Sequence, residues 1–201
     1  MQIDSPAVVL ATRQHGETAL IARVFTREYG LMAGYVAGGR GRRLRPVVIP
    51  GNLVAAHFAA RSDTQLPFLT LELVESRGPW LGEPLAASAI AWATALCAAT
   101  LPERSPHPAI HDALVAVLDA VCHAPSARGW LRGLIVYEAL LLREMGYGGT
   151  ETARGEEGLE PLLEIFARQG PDIARHLLAD NRRDVMAARA MLADRLGRMN
   201  R

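Results

Sequence analysis

The run Gly38-Gly39-Arg40-Gly41-Arg42-Arg43-Leu44-Arg45-Pro46 puts four arginines on a glycine-rich stretch that reads as too flexible to bury them. Glycine lets a backbone come close to a polyanion, and each guanidinium offers a planar fork of donors that fits a phosphate. Arg40, Arg42, Arg43 and Arg45 are therefore candidates for gripping a nucleic-acid backbone, assisted by Arg13 and Arg27. The same composition also suits a solvated connection between strands, and the arginines by themselves do not decide between the two. All 22 basic residues are arginine, and none is lysine. That excludes the phosphate-binding lysine of a P-loop and, apart from the N-terminus, any Schiff-base amine.

Other chemistry finds less support. His107 and His111 stand four apart, as two metal ligands on one helix would, with Cys122 and His123 a helix later. The pair straddles Pro108 at a helix start and no carboxylate-rich motif completes a site, so these histidines are expected on the surface or at caps. Cys97 and Cys122 are too few for a disulfide framework or a four-thiolate zinc site and read as reduced, buried, small apolar residues. No Gly-x-Ser-x-Gly elbow occurs, and the carboxylates are scattered over helix faces rather than paired. No catalytic residue, metal or cofactor is expected. The aromatic residues are few and spread out. Phe25 and Phe58 are expected in the core and Tyr29 and Tyr35 are left open as stacking rings, with affinity expected more from phosphate contacts than from stacking.

The elements that must carry these side chains change character along the chain. Up to residue 76, short β-like runs alternate with turn signals, and strands are expected near Ala7 to Arg13, Ala19 to Thr26, Leu31 to Ala37, Asn52 to Ala60 and Phe68 to Glu75. Five such strands suggest a small closed barrel, with Gly30 and Gly34 allowing its turn and coiling. Pro46 and Pro50 keep the arginine run out of the sheet, as a connection between the third and fourth strands. From Pro84 the period becomes about 3.6. One helix is expected from Pro84 to before Pro102, and a second from Pro108 to before Pro125 with Ile110, Leu114, Val117, Leu118 and Val121 on one face. A third runs from an N-cap at Ser126 to Met145 and stops at Gly146. Its stretch from Leu134 to Leu142 is apolar on nearly every side except Glu138, as in the central helix of a bundle.

Residues 148 to 160 have almost no apolar content and are expected as an exposed, weakly ordered loop. Two short helices are expected from Pro161 and Pro171, and a last one from Asn181 with Val185, Ala188, Leu192, Leu196 and Met199 inward. Its other side carries Arg182, Arg183, Arg189, Arg195 and Arg198, either as a wet face paired with Asp184 and Asp194 or as a second nucleic-acid contact. The expected division is a barrel over residues 1 to 80 and a helical domain over 81 to 201. Net charge supports a polyanion-facing front half, being +3 over residues 1 to 80 and −2 over the remainder. No apolar run approaches the roughly 20 residues needed to span a bilayer, and no leader-like N-terminus is seen, so a cytosolic protein is expected.

Three segments, in order, resemble the RecO family of bacterial DNA repair proteins: Thr12 to Thr18, Val24 to Leu31, and the arginine run closing in Leu44-Arg45-Pro46-Val47-Val48-Ile49-Pro50-Gly51. Glu138 to Gly148 is similar to that family's signature at the end of its central helix. The resemblance covers about three quarters of the chain. It implies an α+β chain in which an N-terminal five-stranded OB-fold barrel precedes an all-α helical bundle. It also implies a non-catalytic recombination mediator that binds single- and double-stranded DNA and anneals complementary strands. In that role it would work with RecR to load RecA onto strands coated by single-strand-binding protein, whose acidic, Phe-ended tail is usually contacted by the helical domain. Such a protein would be cytoplasmic and nucleoid-associated. Two departures stand out. The four-cysteine zinc module that many members carry is missing, its place taken by the acidic stretch at 148 to 160. Val136 stands where the family often has an arginine, and Arg132, one turn earlier, is expected as the substitute contact to the acidic tail. A rival reading is a protein-binding adaptor with only incidental DNA contact.

Overall fold

The computed structural model describes residues 2–62, 64–148, 158–178 and 182–199, without the side chains of Arg182 and Arg183. Alternating apolar residues at the front of the chain form β1 (Gln2–His15), β2 (Ala19–Thr26), β3 (Gly30–Val36), β4 (Leu53–Ala59) and β5 (Phe68–Glu75). They close into a barrel in the order β1-β2-β3-β5-β4, the arrangement of an OB-fold, with β3 and β5 parallel and every other pair antiparallel. The long β1 serves two neighbours: Gln2 to Val8 pair with β4 and Ala7 to His15 with β2. A register shift between Val9 and Ala11 marks the irregularity that lets one strand bend between them. Inward residues such as Val9, Val24, Met32, Val54, Phe58 and Leu71 make one core. At the parallel seam the backbone of Gly34 comes so close that a Cβ there would lie 2.5 Å from Cβ of Leu69.

Two compact units result, one comprising the chain up to Gly82 with Leu101–His111, the other Glu83–Thr100 with the chain from Asp112 onward. Leu101–His111 returns to the barrel. Arg104 N–H donates to the Leu31 carbonyl at 2.8 Å, Arg23 approaches Glu103 at 3.6 Å, and the His111 ring packs edge-on to Phe25 at 5.3 Å. His111 is thereby buried rather than a surface histidine. Phe25 and Phe58 are fully buried, as their alternation predicts.

The helical unit contains α1 (Pro84–Thr100), α2 (Pro108–His123, its first turn belonging to the barrel unit), α3 (Ala127–Glu144), α4 (Leu159–Asp172) and α5 (Arg182–Met199). The five α2 residues expected on one face are all buried. Ser126 precedes α3 in extended conformation but makes no side-chain capping bond. At the other end, Gly146 takes φ +89° and the N–H groups of Gly146 and Tyr147 donate to the carbonyls of Arg143 and Leu142, closing the helix as its glycine stop predicts. Cys97 is buried, but Cys122 is only half-buried.

Two helix expectations are corrected. Pro161 and Pro171 do not open separate helices, because both lie within α4. Pro161 sits in the first turn, where its missing N–H costs nothing, and the strain of Pro171 near the C-terminal end leads into a wide π-type turn at Ile173–Leu177. Of the stretch expected as a linker, residues 149–157 lie outside the described residues, and its last two residues already belong to α4. In α5, Leu192 and Leu196 are buried and Val185 and Ala188 half-buried, whereas Met199, in the final turn, is 57% exposed.

The arginine face of α5 is the larger correction. Arg189 is buried, not wet: its Nε and Nη2 donate to the Glu138 carboxylate at 3.1 and 2.9 Å, and Nη2 also donates to the Phe166 carbonyl. Its guanidinium lies 3.8 Å from the centre of the Phe166 ring, while Trp92 Nε1–H donates to Glu138 at 2.7 Å. Burial pushes the Glu138 carboxyl up, and the charge and hydrogen bonds of Arg189, with that of Trp92, pull part of the way back. Arg195 donates to the Pro84 carbonyl and Ser88 Oγ on α1, and Arg198 pairs with Asp194 on the surface. The side chains of Arg182 and Arg183 lie outside the described residues.

Candidate nucleic-acid interface

The arginine run is built as a chain of turns rather than a slack loop. Gly39 N–H donates to Val36 O, Gly41 N–H to Gly38 O, Leu44 and Arg45 N–H to Gly41 O, and Val47 and Val48 N–H to Leu44 O. Leu44 packs on the barrel core, and Val47 and Val48 are part of it. One side of the segment is therefore apolar and plugged into the barrel, so the expectation of flexibility is corrected: hydrophobic burial and turn bonds hold it. The other side carries Arg40, Arg42, Arg43 and Arg45, all exposed.

Asn52, fully buried at the mouth of β4, fastens the far end. Its Nδ2 donates to the carbonyls of Pro46 and Val47 at 2.8 and 3.0 Å, and its Oδ1 accepts from Arg77 N–H at 2.7 Å. The near end is clipped to the β1–β2 turn: Arg40 N–H donates to Thr18 O at 3.0 Å and its guanidinium to Glu17 O at 2.7 Å. Arg45 donates to the Arg40 carbonyl at 3.5 Å. Arg42 and Arg43 make no hydrogen bond or ion pair with the described residues, and none of the four loop arginines bonds a carboxylate among them. Sequence reasoning missed Asn52. Its signal was an amide side chain directly after Gly51 at the start of an apolar strand, where only a buried bonding role is comfortable.

Arg13 lies exposed on β1, opposite Ile21 of β2, one residue from the level at which Leu20 pairs with Val36 and β3 gives way to the arginine segment. It shares that end of the barrel with Arg40. Arg27 does not. It sits in the β2–β3 turn, a strand length from Leu20, or about 23 Å at 3.3 Å per residue. On α3, Arg132 and Val136 are both exposed, one turn apart. Tyr137 and Glu138 point inward, Tyr137 donating its hydroxyl to Ala93 O at 3.0 Å.

His107 and His111 do not converge with a third ligand, and among the described residues no group of three His, Cys, Asp or Glu side chains could hold a metal ion. No described helix is long and apolar enough to cross a membrane.

The family described as Recombination protein O N terminal matches residues 1–77, which contain the barrel and the arginine segment. Recombination protein O C terminal matches residues 82–192. DNA repair protein RecO of Rhodospirillum centenum is 42% identical over 174 residues, spanning 85% of this chain and 68% of the relative. The protein of the same name from Phenylobacterium zucineum is 36% identical over 177 residues, or 87% of this chain and 72% of its own. That of Paracoccus denitrificans is 33% identical over 196 residues, spanning 97% of this chain and 80% of the relative. Barrel, helical unit and sequence similarity converge, and the chain belongs to the RecO family of DNA repair and recombination proteins.

Proposed function

We propose that this chain binds the backbone of single- and double-stranded DNA without reading sequence, through Arg40, Arg42, Arg43 and Arg45 together with Arg13. Arg27, at the opposite end of β2, contacts a separate stretch of backbone. The observation that carries the reading is a run of four exposed arginines held on a buttressed turn segment with no bond to a described carboxylate. Neutralising two strands on one basic surface lowers their repulsion and leaves the base edges free, so annealing of complementary strands follows without catalysis. In this role the protein acts as a recombination mediator that, with RecR, loads RecA onto DNA covered by single-strand-binding protein, in the cytoplasm at the nucleoid. The acidic, Phe-ended tail of that coating protein docks on the helical unit beside Arg132 and Val136, a cation next to an exposed apolar side chain.

The test is the salt dependence of binding to a short fluorescent single strand. Each lost phosphate contact flattens the log-log slope by about 0.7, so changing the four loop arginines to alanine flattens it by up to about 3. An unchanged slope and affinity overturns the assignment. Titrating a short acidic peptide ending in Phe against wild type and Arg132→Glu tests the tail site separately, since only a site using Arg132 loses affinity on charge reversal.

A further inference from the structure

The outer surface of the barrel carries a row of side chains on one level across four strands: Arg13 of β1 opposite Ile21 of β2, Ile21 opposite Tyr35 of β3, and Tyr35 opposite Phe68 of β5. Strands stand about 4.8 Å apart, so the row spans about 14 Å perpendicular to them. Tyr35 is flanked on both sides by rings. His15 lies edge-to-face at 5.7 Å between centroids and Phe68 at 5.4 Å. Phe68 is 64% exposed, an unusual position for a phenylalanine beginning a strand whose next residue, Leu69, is in the core. Beyond it opens a cleft of about 560 Å³ lined by Leu66, Gln65 and Arg61.

The aromatic row ends where the arginine segment begins. His15 adjoins the β1–β2 turn to which Arg40 is clipped, and Tyr35 is next to Val36, the last residue of β3. No acidic residue belongs to the row, and arginines stand at each side of it, Arg13 on β1 and Arg61 in the cleft. A surface that displays rings at one barrel end beside a phosphate-binding cationic segment fits one occupant: a single strand whose bases are turned out. A duplex does not fit, because its bases are already stacked on one another and offer no face.

We propose that His15, Tyr35 and Phe68 form a stacking platform for unpaired bases, with Arg13 and Arg61 holding flanking phosphates, and that this row sets a preference for single-stranded over double-stranded DNA. The proposal rests on the reading of the arginine segment as a DNA grip, and the experiment separates the two. Wild type, Phe68→Ala and Phe68→Trp are compared for binding to a fluorescent single strand and to the matching duplex, each over a range of salt. Because Phe68 is mostly exposed, neither change disturbs the core. Phe68→Ala is expected to weaken single-strand binding by about fivefold to a hundredfold, with the salt slope unchanged and the duplex affinity unaltered. Phe68→Trp is expected to restore or strengthen it. If wild type binds with strong salt dependence and Phe68→Ala binds the single strand equally well, the platform is refuted and the arginine grip stands. Equal loss toward both DNA forms refutes it as well, since a duplex cannot use the ring faces. If wild type binds neither form, both readings fall.

Discussion

Replacing Arg189 by alanine removes the guanidinium on which the seat of α5 depends. Glu138 is completely buried and accepts three described bonds, two from Arg189 and one from Trp92. Without Arg189 the carboxylate keeps one donor, and the Phe166 carbonyl loses a donor as well. Removing one partner of a buried ion pair costs about 3–5 kcal/mol, because the remaining charge stays desolvated. That is comparable with what Leu192 and Leu196, the other buried side chains of α5 among those described, contribute together at about 1.5–3 kcal/mol each. For a chain of this size about 2–4 °C of Tm accompanies each kcal/mol, so a drop of about 6–20 °C is expected in thermal unfolding followed by circular dichroism. The tryptophan emission should change too, because Trp92 bonds the same carboxylate. Arg189→Lys should recover little, since an ammonium cannot reproduce the bidentate fork. Paired replacement of Arg189 and Glu138 by methionine should recover most of it by burying apolar groups of similar volume. An Arg189→Ala protein that melts within about 1 °C of wild type would refute the reasoning.

Glu138 also sets a pH dependence. Its folded carboxyl titrates above its ordinary value, chiefly through burial, so the folded state holds the proton more tightly than the unfolded chain. The stability this gives is present below the unfolded value and is lost as pH rises through the folded one. The unfolding free energy of wild type relative to Glu138→Gln should therefore fall as pH rises from acid toward neutral, and a constant or rising difference in denaturant titrations would contradict it. Asn52→Ala should cost about 3 kcal/mol and speed hydrogen exchange at Val47 and Val48, because the segment loses its buried anchor. Unaltered exchange there would rule out the anchoring role. Gly16 and Gly30 both have positive φ, yet only at Gly30 would a Cβ collide with backbone, 2.1 Å from the Ser105 carbonyl oxygen. Gly16→Ala should cost about 1 kcal/mol and leave a folded protein, whereas Gly30→Ala should shift Tm several times as far; equal shifts would count against the packing of Leu101–His111 on the barrel.

The barrel and the first three helices were legible because period-two and 3.6-residue patterns, with proline and glycine punctuation, coincide with the elements they specify. The arginine segment was found by composition, but its order was not, because glycine content speaks for freedom while the anchors are distant: Asn52, Thr18 and the core beneath Val47. Arg189 was misplaced by treating the arginines of α5 as one face. Val185, Arg189, Leu192 and Leu196 in fact follow the spacing of a single buried stripe, as Glu138 does between Leu134 and Leu141. A cation centred in one apolar stripe and an anion centred in another announce a buried pair. Tyr35 could be left open from sequence, but its meeting with Phe68 depends on a parallel β3–β5 junction that no local pattern reveals.

The plug formed by Leu44, Val47 and Val48 ties ligand and fold together in one thermodynamic cycle. A polyanion that binds the opposite side of that plug only in the folded barrel stabilises the barrel by about 2.7 kcal/mol at a hundred times its dissociation constant, and so raises its melting temperature. On the proposed reading of the arginine segment as a DNA grip, exposed single strands would also protect this protein from thermal loss.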